Sequence, residues 1–158
     1  MAKIVLITST DRFHNGLAHE LAIREVFRAK SDWRIQAVRG NRFFTPELLK
    51  DAGLLMVACG SGPDVMDLSG AAGAAEEVKK GSPLWTEGNV AAIVEYVRRG
   101  MGFMALHQTA LCGNEEIHDL LDIRPAAAYG LQPLWVRNLS RGHPVTRGVV
   151  KFSIALEE

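Results

Sequence analysis

Gly102-Phe103-Met104-Ala105-Leu106-His107 is a short apolar run that stops at an imidazole, and Gln108-Thr109-Ala110 follows it. A continuous apolar run of this length, bounded by glycine before and polar residues after, reads as a buried strand covered on both faces. Just upstream, Thr86-Glu87 opens a helix with Val90, Ile93, Val94 and Val97 on one side. Arg98-Arg99-Gly100 then gives it a basic, glycine-terminated end. Helix, glycine stop and buried strand in succession predict an alternating α/β chain.

The same alternation extends outward. Lys3-Ile4-Val5-Leu6-Ile7 and Leu54-Leu55-Met56-Val57-Ala58 are two more apolar strands, and Trp33 to Val38 reads as another. The first ends in Thr8-Ser9-Thr10-Asp11, small polar residues that turn a chain and cap a helix. From 15 to 29 the period becomes helical. Ala18, Ala22 and Val26, with Leu21, Ile23 and Phe27 close by, form the expected apolar stripe, and Glu20, Arg24 and Arg28 the polar one. Thr45-Pro46-Glu47 predicts a helix start. Residues 60–82 are rich in Gly, Ala and Ser and carry Asp64 and Asp67, with a helical turn or two expected over 71–80. A connection that long after a strand is either functional or mobile. A short helix over 115–121, an extended segment over 131–138, a turn at Gly142-His143-Pro144 and a last strand over 149–155 complete the reading. The expectation is one domain spanning 1–158, an α/β fold with a parallel sheet and helices on both faces.

Composition narrows the function. The 158 residues, 47% of them hydrophobic, suffice for a core. The net charge of +0, from 18 basic and 18 acidic residues, gives no field to draw nucleic acid or an acidic membrane, so neither is an expected partner. Cys59 and Cys112 form neither a CxxC pair nor a disulfide framework, and no secretory leader or transmembrane run is read, so a cytoplasmic location is expected. Thr8-Ser9-Thr10 resembles a flavodoxin phosphate loop, but Asp11 would oppose a phosphate there, and no G-x-G-x-x-G or P-loop spacing occurs. Neither a nucleotide nor a flavin is expected.

In open α/β sheets ligands gather outside the carboxyl ends of the strands. The polar segments after the strands should therefore converge, making His14, Asp64 and His107 candidates for one pocket. Imidazole at position 107 suits general acid/base work or metal ligation through one ring nitrogen; alternatively it finishes the strand by bonding neighbouring backbone. His14 either caps the following helix or joins the pocket, and His143 is either a turn residue or a third member. His19 and His118 read as solvated helix residues. With no H-x-x-x-H or H-E-x-x-H pair, a divalent metal would need ligands distant in sequence.

Two segments resemble one family. Trp85-Thr86-Glu87 with Ile93-Val94-Glu95-Tyr96-Val97-Arg98-Arg99-Gly100-Met101-Gly102-Phe103-Met104-Ala105-Leu106-His107 resembles the ThuA-like (trehalose-utilisation) pattern LTxEQ…yVxxGGGLvxLH. His143-Pro144-Val145-Thr146-Arg147-Gly148, with Phe152, Ile154 and Glu157, resembles its HPITxGlxxFxIxDE segment, and Phe13-His14 its early FH. The resemblance implies a flavodoxin-like sheet of the class I glutamine amidotransferase type and a role in carbohydrate metabolism, on keto-sugars or disaccharides such as trehalose. Where amidotransferases keep a cysteine nucleophile this chain has His107, so a Cys-His-Glu triad is not expected. The implied site has His107, His14 and His143 as acid/base or metal-holding residues, with Gln108, Thr109, Asp64 and Glu157 contacting the sugar. The alternative is a non-catalytic ligand- or partner-binding protein on the same fold. Leu156 stands where the family has Asp, and Ala126-Ala127-Ala128-Tyr129 where a His-Pro-like element is expected. Family members run on through further strands, so a chain lacking their C-terminal part, and a homodimer through the sheet edge thus left open, are expected.

Overall fold

The computed structural model describes residues 2–9, 15–30, 32–58, 85–106, 109, 114–123, 132–136, 140 and 142–157. The chain divides into two compact units, Met1–Arg124 and Pro125–Glu158.

In the first unit, β1 (Ala2–Thr8), β2 (Trp33–Arg39), β3 (Ala52–Ala58) and β4 (Gly102–Ala105) form a parallel sheet in the order β2-β1-β3-β4. Three α-helices are described: α1 (Gly16–Phe27), α2 (Glu87–Arg98) and α3 (Glu115–Leu121). Residues alternate along β1, which divides the core between the two sheet faces. Ile4 and Leu6 pack with Met56, Ala58 and Ile23 of α1. Val5 and Ile7 pack with Leu55 and Val57, Val90, Ile93 and Val94 of α2, and Ile117 of α3. Both faces are thus covered, as the continuous apolar runs predict. Each fully buried aliphatic side chain contributes roughly 1.5–3 kcal/mol.

The glycine stop after α2 forms as read. Gly100, at φ +105, donates to the Val97 carbonyl, and Met101 donates to that of Tyr96 at 3.1 Å, closing a Schellman end. Two residues on, a side chain at Gly102 would bring its Cβ to 3.1 Å from Leu54 Cδ1, so glycine lets β4 sit close to β3.

The expectations for β4, for Thr45-Pro46-Glu47 and for α1 need correction. β4 is not a fully buried strand. Gly102 and Met104 are exposed and Phe103 and Ala105 half-buried, because β4 is the outermost described strand. Thr45-Pro46-Glu47 starts only a 3₁₀ turn, Pro46–Leu49. Lys50 leaves helical geometry and Asp51 turns at φ 60, since β3 begins at Ala52. Lys3 Nζ binds the carbonyls of Leu48 (2.9 Å) and Lys50, holding that turn to β1.

The third correction concerns α1. Its inward line is Gly16, Glu20 and Ile23, with Phe27 half-buried, whereas Leu17, Ala18, Leu21, Ala22 and Val26 are exposed. Val26 is 73% exposed and Glu20 only 1%. The inward glutamate is held by an ion-pair cluster described below. His19 and His118, expected in solvent, are half-buried.

In the second unit, β5 (Gln132–Val136) and β6 (Phe152–Glu157) pair antiparallel, Trp135 opposite Ser153 and Val136 opposite Phe152. The last strand starts at Phe152 and not at 149, because the Val149 N–H still closes a turn on the Thr146 carbonyl. The expected connection over 60–82, with its helical turn at 71–80, lies outside the described residues.

Candidate functional site

The four described strands of the first unit run parallel, so their carboxyl ends share one edge. Thr8 of β1 pairs with Ala58 of β3, and Val57 of β3 with Ala105 of β4. Along the order β2-β1-β3-β4 the chain leaves β1 toward β2 and leaves β3 toward β4. That reversal is a topological switch point between the ends of β1 and β3, the place where ligands of such sheets bind.

Beyond β4, the Val57 carbonyl accepts the Leu106 N–H (2.9 Å) and the Thr109 hydroxyl (3.0 Å). The Thr109 N–H donates back to the Leu106 carbonyl at 3.2 Å. Leu106 and Thr109 are therefore fastened to the end of β3. Thr109, an expected sugar contact, is 1% exposed, with its hydroxyl proton on Val57. Of the other expected site residues, His14, Asp64, His107 and Gln108 lie outside the described residues.

Two candidates fall in the second unit. The N–H of exposed His143 donates to the Ser140 carbonyl, and its Nδ1 accepts the Val145 N–H at 3.2 Å. Glu157 ends β6 opposite Gln132, and its side chain is outside the description.

Sequence reasoning missed two features of this edge. The first is the cluster at the end of β2, where Arg39 forks onto Glu20, Nε to Oε2 at 2.6 Å and Nη2 to Oε1 at 3.0 Å. Arg24 Nε adds a contact to Oε1 at 2.8 Å. The hydrogen bonds from Arg39, and then that from Arg24, hold the Glu20 carboxyl below the usual range against the opposing effect of burial, and Arg39 is raised in turn. The available signal was the i, i+4 spacing of Glu20 and Arg24, which alone reads as a solvated pair. The second is Ser9, the first residue past β1 and 2% exposed, whose Oγ has no hydrogen-bond partner among the described residues.

Among the described residues no three His, Cys, Asp or Glu side chains are placed to hold a metal ion. No helix of the described chain is long and apolar enough to cross a membrane.

Strand order, parallel register and helices on both faces define a flavodoxin-like α/β protein, with its topological switch point at the β1/β3 carboxyl edge. A crystal structure of a protein described as ThuA-like, from Bacteroides uniformis, matches 98% of this chain at a TM-score of 0.62 and 15% sequence identity. The match covers 58% of that protein, so the present chain spans less than two thirds of its length. At this identity the likeness is one of fold, and it falls on the same family that residues 85–107 and 143–157 resemble. No family model and no curated protein matches the chain.

Proposed function

We propose that the chain is a ThuA-like protein of carbohydrate metabolism that takes a small sugar, a keto-sugar or a disaccharide such as trehalose, at the carboxyl edge of β1, β3 and β4. One observation carries the reading: Leu106 and Thr109 are both fastened to the Val57 carbonyl at the end of β3. His107 and Gln108 lie between them in sequence and are proposed here as the residues that meet the ligand. An imidazole at a crevice lined by strand ends suits proton transfer to and from a sugar hydroxyl or carbonyl, because its ordinary pKa lies near neutrality. Gln108 and Asp64 would bond sugar hydroxyls, and His14 would share the proton work. A divalent ion bound there would polarise a carbonyl oxygen; imidazole acid/base chemistry does not require one. A cytoplasmic location and a homodimer belong to the same proposal, and a monomer mass by light scattering would remove the dimer.

His107→Ala is the test, with trehalose and fructose as probes and metal content measured on the purified protein. Loss of turnover by tenfold or more with the fold intact supports the reading. Unchanged turnover and binding would overturn it, and wild-type binding without turnover would favour a ligand-binding protein.

A further inference from the structure

We propose that Ser9 is a ligand-contacting residue of this site, its hydroxyl bonding a neutral hydroxyl or carbonyl oxygen of the bound molecule. The inference rests on the reading of the carboxyl edge as a small-carbohydrate site.

Of the buried hydroxyl residues at this edge, Thr8, Ser9 and Thr109, the last two are treated differently. Thr109 gives its proton to the Val57 carbonyl. Ser9, 2% exposed, has no partner for Oγ among the described residues. Buried hydroxyls are as a rule hydrogen-bonded, and a serine at the end of a strand easily turns onto local backbone. An orphaned hydroxyl is therefore a group awaiting a partner. Its place points to a ligand as that partner. Ser9 is the first residue after β1, whose neighbour in register is the end of β3, so it stands at the reversal of the strand order.

The charges nearby argue for a neutral oxygen over a phosphate or carboxylate. Arg39, the register partner of Thr8, is forked onto Glu20. At the start of α1 the Ala18 N–H is bonded by the Asn15 side chain at 3.1 Å. A serine hydroxyl both donates and accepts, which matches a sugar hydroxyl doing the same.

The experiment compares Ser9→Ala with the wild-type chain in two measurements: the melting temperature of the free protein and calorimetric binding of trehalose and fructose. Removing an orphaned hydroxyl should leave the free protein's melting temperature unchanged or raise it. It should also weaken binding of the sugar the wild type takes by about five- to tenfold, the worth of one neutral hydrogen bond. A melting temperature lowered by several degrees would show that the hydroxyl is already partnered in the free protein and would overturn the inference. So would equal affinity in the two proteins. If the wild type itself binds neither sugar, the carbohydrate reading fails first and takes this inference with it, a result separable because it needs no substitution.

Discussion

Helices α1 and α2 are each 12 residues long, each opened by a side-chain cap (Asn15 on the Ala18 N–H, Thr86 on the Asn89 N–H), yet they meet the sheet on different terms. In α2 the stripe Val90, Ile93 and Val94 turns inward, and hydrophobic periodicity finds it. In α1 the line that turns inward passes through a glutamate. Ala18 and Ala22 lie two residues, about 200°, from Gly16 and Glu20 of the inward line. The contrast shows that a carboxylate can take an inward position when the neighbouring strand supplies a guanidinium fork. Arg39 lies at the end of β2, 19 residues from Glu20, and no helical period can announce it.

The comparison breaks most sharply in the core of α2. Ile93 is fully buried between α2 and the sheet. Ile93→Ala should cost about 2–5 kcal/mol in denaturant unfolding, the transfer term plus the cavity left behind. A cost below 1 kcal/mol would mean that α2 is not seated as described.

Glu20 comes next. Glu20→Gln keeps the shape but gives up charge-assisted bonds to two arginines that are themselves largely exposed, so it should cost about 1–3 kcal/mol near neutral pH. The pH profile sharpens the test. Glu20 protonates less readily in the folded chain than in the unfolded one, so its contribution is complete above the ordinary value of 4.5. It drains away as pH falls below that value through the depressed folded pKa. Glu47, lowered by the Thr45 hydroxyl and its own backbone N–H, acts in the same direction. The gap between wild type and Glu20→Gln should therefore narrow on acidification, and a constant gap would show that the carboxylate's charge is not what the arginines hold.

What was legible in the sequence follows the same division. Strands buried on both faces, the glycine stop at Gly100 and the helix Glu115–Leu121 come from local pattern, and the structure has them where the residues predict. Features set by long-range partners do not. The half-exposure of Met104 depends on which strand is outermost, and the burial of Glu20 on Arg39. The site was legible as an edge, because parallel strands must end together, but not atom by atom. Thr109 reads as a free polar residue until Val57 is brought beside it, and Ser9 as one more turn residue until burial isolates its hydroxyl.

The smallest effect belongs to the outward face of α1. Leu21 is 59% exposed, and Leu17 and Val26 beside it are exposed as well. Pattern reading places Leu21 near the core, where a lysine would cost several kcal/mol. The observed orientation instead predicts that Leu21→Lys changes unfolding stability by no more than about 0.5 kcal/mol, as surface substitutions generally do. The lysine stem can lie along the helix and keep its charge in water. A loss as large as that of Ile93→Ala would return α1 to the orientation its hydrophobic stripe suggests, and Glu20 to solvent. A loss that appears only at high protein concentration would instead identify this face as the contact between two copies of the chain.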